Sequence, residues 1–224
     1  MTAVLSTPLL HAPRAGARRV TGRSVIAPPP AQRAPIWNSA VPMLTDAGDD
    51  HRAPLLWLLG AHGGAGATTL ARLLAPAADC LRRWPAPTVG ESPYVVVVAR
   101  ETAIGLAAAD ALLRQHHAGL AGGSAVVGLV TVAARPGRVP AAIRRDRRLY
   151  AELVSHTWRI DWHEAWTATT HDALPVWNPT DTAPSGSRDD LATAPPDVVA
   201  LGRALITVIS ELDHALHSTN GGTP

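Results

Sequence analysis

Residues 60–69 read Gly60-Ala61-His62-Gly63-Gly64-Ala65-Gly66-Ala67-Thr68-Thr69. The apolar run Leu55–Leu59 leads into them, and a short helical pattern opens at Ala67 and breaks at Pro76, whose ring does not fit a helix interior. A strand that empties into glycines and then a helix is the arrangement in which backbone amides converge on an anion. Against the phosphate-loop template G-x-x-x-x-G-K-[ST], Gly66 takes the second glycine and Thr68 the magnesium-ligating hydroxyl. Ala61 stands at the first glycine and Ala67 at the lysine. That lysine normally sets a positive charge on the β- and γ-phosphates. The chain contains no lysine at all, so none swings in from elsewhere. Gly63, Gly64, Ala65, Gly66, Ala67, Thr68 and Thr69 are therefore the candidate binding residues, with Thr68 as the metal ligand.

Outward from the loop, short apolar runs alternate with helical patterns. Tyr94–Ala99 is a β-branched strand, Thr102–His117 a helix with Ile104, Ala108, Ala111 and Leu112 on one side, and Ala125–Ala133 a third strand. Pro140–Val154 reads as a helix. His156–Trp162 reads as a fourth strand, with Trp158, Ile160 and Trp162 on one face. Strands apolar on both faces and separated by helices predict a parallel sheet covered on both sides, an α/β domain in three layers. Its expected bounds are residues 52–168.

Residues 1–51 are rich in Pro, Ala and Arg and are expected to be a disordered arm, as is the acidic Pro/Thr/Ser-rich linker 169–196. Residues 197–217 form the best-patterned helix. Val198, Leu201, Leu205, Val208, Ile209, Leu212 and Leu216 make one stripe, and Asp197 is placed to cap it. That stripe is expected to pack back on the sheet domain rather than on a partner. Residues 218–224 are expected to be a disordered tail.

The formal charge of +2 gives no strong field toward nucleic acid. Charge is uneven, however: residues 1–45 carry five Arg and no acid, and residues 135–148 carry six Arg and one Asp. Arg144, Arg145 and Arg148 cluster on one side of the expected third helix, with Glu152 one turn beyond Arg148. This is a candidate contact for a DNA backbone or, more blandly, a solvated face. Cys80 is the single cysteine, which fits a reducing cytoplasm. No run approaches the ~20 residues that span a bilayer, and no signal peptide is expected.

The string H-G-G-A-G-A-T-T resembles the K-G-G-x-G-K-T-T deviant Walker A motif of the ParA/MinD partition and positioning ATPases. His62 and Ala67 stand at that family's two lysines. The resemblance runs through V-V-V-V-A-R-E-T-A-I-G-L and W-R-I-D-W, covering roughly residues 54–165. It implies a P-loop NTPase-like fold, ATP or ADP with Mg2+ as ligand, an adenine near Trp162, and a homodimer as a possible assembly. Only a short stretch separates the first helix from the Tyr94 strand, where that family places its magnesium-binding Asp strand and second switch region, and no Walker B Asp follows the Tyr94 strand. The combination of the glycine loop, A-R-E-x-x-x-G-L, P-G-R-x-P and a Trp-rich strand also resembles an uncharacterised actinobacterial family found on mobile elements.

Arg100, at the carboxyl edge of the second expected strand, is the candidate substitute for the missing charge, and Glu101 a candidate metal holder or a helix-dipole partner. His163, Glu164, His171 and Asp172 lack a recognised metal spacing. The leading expectation is a degenerate ParA/MinD-like protein, a pseudo-ATPase that binds nucleotide or phosphate without hydrolysis, or a scaffold. It would work with a protein partner in plasmid or mobile-element maintenance or transfer. The alternatives are a slow ATPase using Arg100 or a partner's charge, and a DNA-associated adaptor.

Overall fold

A computed structural model describes residues 25–42, 53–75, 77–86, 88, 90–182 and 193–220. The strands are β1 (Leu56–Gly60), β2 (Ala77–Asp79), β3 (Tyr94–Arg100), β4 (Ala125–Val132) and β5 (His156–Ile160). The helices are α1 (Ala67–Leu73), α2 (Ala103–His117), α3 (Ala141–Ala151) and α4 (Pro196–Asn220). The five strands form one all-parallel sheet in the order β2-β1-β3-β4-β5. No helix among the described residues is long and apolar enough to cross a membrane.

Alternate residues of each central strand feed two cores. Leu56, Leu58, Val96, Val98 and Val130 face α1 and α4, whereas Trp57, Leu59, Val95, Val97 and Leu129 face α2. Strands buried on both faces have no solvent side to place polar residues on, which is why their sequences read as unbroken apolar runs. The helix α4 does pack back: Val198, Leu201, Leu205, Val208 and Ile209 are buried in the α1-side core and Leu212 packs against it. Each such aliphatic side chain contributes about 1.5–3 kcal/mol of burial. The side chain of Leu216 lies outside the described residues.

The structure corrects the sequence reading in five places. The strand β2 was unexpected. Its Ala-Ala-Asp sequence has no strand signature, and it exists because Leu56–Leu58 offer it a parallel partner. Within α2, the buried line runs through Leu106, Ala109 and Leu113, while Ile104 is 82% exposed. β5 ends at Ile160, and Trp162 belongs to the loop beyond it. Part of the arm is ordered: residues 25–42 lie on the α2 face, with Val41 buried and Trp37 packed against that core. Part of the linker is ordered too. Leu174 and Trp177 are buried in the α1-side core, and Trp177 bridges Leu74 in parallel. The expected disorder of residues 1–24, 43–51 and 183–192, the break at Pro76 and the tail from 221 fall outside the described residues.

Candidate functional site

The glycine loop leaves the carboxyl end of β1 and is tied to its neighbour strand at once, by the Ala61 amide donating to Val98 O at 2.8 Å. Gly64 and Gly66 adopt φ of 76° and 99°, the left-handed region that an L side chain resists. Gly66 is the N-cap of α1. A Cβ on Gly63 or Gly64 would meet nothing within 4 Å, so the outer surface of the loop is open. Ala67, at the lysine position, is buried, and its methyl would lie 3.4 Å from a Cβ on Gly60.

β1 and β3 are immediate neighbours, with Gly60 opposite Val98, so no strand separates Arg100 from the loop. The Arg100 guanidinium donates from Nε to Gly64 O at 2.9 Å and from Nη1 to Ala133 O at 2.9 Å. Its backbone amide donates to His62 Nε2 at 3.2 Å. His62 Nδ1 lies 2.8 Å from Gly63 O, so the neutral tautomer with a proton on Nδ1 satisfies both bonds. Gly105 makes this possible. A Cβ there would come within 2.5 Å of Arg100 O and 2.8 Å of His62 Nε2, so α2 approaches the loop only without a side chain.

The other flank of the loop holds the feature that sequence reasoning missed. Thr68 Oγ1 donates to Asp79 Oδ2 at 2.6 Å, and Asp79 Oδ1 accepts from the Leu81 amide at 2.8 Å. A hydroxyl and a carboxylate oxygen side by side are hard donors of the kind magnesium takes. Asp79 stands at the end of β2, next to β1, in the short interval between the first helix and the Tyr94 strand. The only cue was an acid after two alanines.

From Gly66 and Thr69 a cavity of about 240 Å³ runs along the carboxyl edge of the sheet past Arg100 and Asp161 to Trp162 and Trp166. Gly66 and Thr69 of the loop, Arg100 and Trp162 thus share one concavity, whereas Thr68 and Asp79 are not among its lining residues. Trp162 Nε1 donates to Glu164 Oε2 at 2.7 Å. His163 is buried, with Nε2 2.9 Å from Asp197 Oδ2 and its ring 4.2 Å from that of Trp166. Asp197 also accepts from the Asp161 amide at 2.8 Å and the Val198 amide at 3.0 Å. Burial opposes charge on Asp197, but His163 and those amides outweigh it and hold the carboxyl below its usual range. The α4 cap thereby also fixes the loop after β5. His171 Nε2 meets Thr68 O at 3.1 Å, so His163 and His171 serve different partners. Among the described residues no group of three or more His, Cys, Asp or Glu is arranged to hold a metal.

Glu101 is engaged by two arginines. Its buried carboxylate receives Arg147 from α3 at 2.5 Å and Arg159 from β5 at 3.0 and 3.1 Å. Arg147, which the sequence reading did not single out, therefore attaches a helix that has no buried residue of its own. Arg145 remains exposed on α3 beside Asp146, and Arg148 donates to Arg144 O.

The chain matches the Family of unknown function (DUF6668) over residues 54–177, more than half its length. The protein belongs to that family. The DUF6668 region begins just before β1 and ends at Trp177, so it includes the loop, Asp79, Arg100 and the whole cavity, and stops short of α4. No curated protein and no solved structure matches the chain.

Proposed function

We propose that this chain is a P-loop NTPase-like protein of ParA/MinD character that binds a nucleotide, ATP or ADP with Mg2+, on residues 63–69 and does not turn it over efficiently. The observation that carries the reading is the Arg100 guanidinium, 2.9 Å from Gly64 O and lining the same cavity as Gly66 and Trp162. It supplies, beside the loop, the positive charge that the absent lysine would have provided, and its planar fork suits phosphate oxygens. Thr68 and Asp79 would hold the cation, which when bound neutralises phosphate charge. Trp162 would face the base, while Gly63 and Gly64 leave the loop open to the phosphates.

With Ala67 at the lysine position the loop lacks a donor that stabilises charge developing on the transferred phosphoryl group, so binding outlasts chemistry. On this reading the protein acts in the cytoplasm through a protein partner, in plasmid or mobile-element maintenance or transfer. The slow-ATPase alternative draws support from one observation, the Thr68–Asp79 pair at 2.6 Å. Isothermal titration of the full chain with ATP and ADP, in magnesium and in EDTA, tests the site: saturable binding with dissociation constants on the order of micromolar is expected. Silence with both nucleotides sinks the reading. A steady-state turnover near ~1 per second, the low end for working enzymes, would replace it with the ATPase.

A further inference from the structure

We propose that Ala34–Trp37 is a strap that positions Asp79, and through it the Thr68 hydroxyl. This rests on the reading of the loop as a magnesium–nucleotide site. The strap comes from the arm and is fastened at two places. Gln115, 2% exposed at the end of α2, accepts from the Ala34 amide at 2.9 Å and donates to Ala34 O at 2.8 Å and Leu120 O at 2.9 Å. Ile36 then pairs in parallel with Trp84, through Trp84 N–H to Pro35 O and Trp37 N–H to Trp84 O, both 2.9 Å. A Cβ on Gly122 would lie 2.9 Å from Ile36 Cγ2, so the strap also requires that glycine.

What the strap grips is the turn that follows Asp79. Trp37 Nε1 donates to Cys80 O at 2.9 Å, and the Arg83 guanidinium stacks 4.7 Å above the Trp37 ring. Between those anchors Leu81 and Arg82 both hold left-handed backbone, φ 56° and 61°. Two successive non-glycine residues persist there only when their surroundings over-determine them. The same turn aims the Leu81 amide at Asp79 Oδ1, which leaves Oδ2 for Thr68. The three-residue β2 is too short to fix that carboxylate unaided. Trp37 and Gln115 are therefore positioning residues: they touch neither loop nor ligand, and act through the turn on Asp79.

The test compares ATP affinity in magnesium and in EDTA, by isothermal titration of the full chain, for wild type, Trp37→Phe, Gln115→Glu and Asp79→Asn. Trp37→Phe removes the indole donor. Gln115→Glu keeps the acceptor for Ala34 N–H and loses the donor to Ala34 O. The expected result is a magnesium enhancement of about tenfold in wild type, abolished in Asp79→Asn and cut at least about threefold in both strap variants, with affinity in EDTA held within about twofold. Hydrogen exchange at the Leu81 amide should quicken in the strap variants while β1 and β3 amides stay protected. If Trp37→Phe does not fold, Gln115→Glu reads the same ratio from the other anchor. An enhancement unchanged in the strap variants but lost in Asp79→Asn overturns the strap alone. Equal loss in both buffers also overturns it, marking the strap as a stability element only. A wild type that binds ATP equally in both buffers, or not at all, overturns the magnesium site and the strap with it.

Discussion

The two flanks of the glycine loop are built by opposite means. On the β3 side a seven-residue strand buried along nearly its whole length carries Arg100 to Gly64, and Glu101 behind it is locked by Arg147 and Arg159. On the β2 side a three-residue strand ends in Asp79, followed by a left-handed turn whose Cys80 carbonyl accepts from Trp37, 43 residues away. Regular secondary structure makes the first flank rigid by many small contacts. The second is held by a few long-range hydrogen bonds, each of which matters more. The proposed substitute charge and the proposed cation-binding pair should therefore fail in different ways.

Glu101→Ala should have the largest effect on stability, a loss of about 3 kcal/mol, because it strips two guanidinium groups of a buried carboxylate and frees α3. Both arginines are about 30% exposed, which keeps the cost at the lower end of that range. Chemical denaturation reads it. A loss under about 1 kcal/mol would show that the β3 flank is no stiffer than the other.

Arg100→Ala comes next. Removing a charge-assisted contact worth about 1.5–3 kcal/mol should weaken ATP binding by roughly 10- to 100-fold, in magnesium and EDTA alike. Asp79→Asn should weaken binding only in magnesium, by about tenfold. Titration of the two variants in both buffers separates the flanks, and identical profiles would erase the distinction between them. Ala67→Lys restores a charge beside a Thr68–Asp79 pair already in place, and should tighten ATP about tenfold without bringing efficient turnover.

The smallest effect concerns acid. Burial, with His117 beside it, pushes His116 from an ordinary 6.5 down to about 4. Its ring stacks on Trp84, the strap's partner, at 6.3 Å. The unfolded chain takes up this proton at higher pH than the folded one. The contribution to stability is thus fully present above about 6.5 and drains away as pH falls toward 4. Melting temperature measured from pH 7 to 5 should fall more steeply in wild type than in His116→Gln. Parallel curves would mean that His116 does not govern the strap flank.

Legibility in the sequence follows the same division. β1, β3, β4 and α4 could be read because each buries a face wide enough to impose a period or an unbroken apolar run. The loop could be read because left-handed backbone at Gly64 and Gly66 demands glycine in a recognisable spacing. Asp79 could not, since three residues carry no period and the strand exists by virtue of its partner. The arm was misjudged at residues 25–42 because its attachment is made of backbone bonds to Gln115 and Trp84, which composition does not record. Glu101 was visible as an acid beside the loop, but its two arginines come from elements 46 and 58 residues away.

By itself, then, the sequence determined the α/β class, the glycine loop without its lysine and the return of the last helix to the core, because burial and backbone conformation are local demands written residue by residue. The tertiary structure alone decided that Arg100 reaches Gly64, that Asp79 meets Thr68, and that a piece of the arm bonds to the turn after Asp79. Those outcomes depend on which strand lies beside β1, and strand order is settled by the packing of the whole sheet.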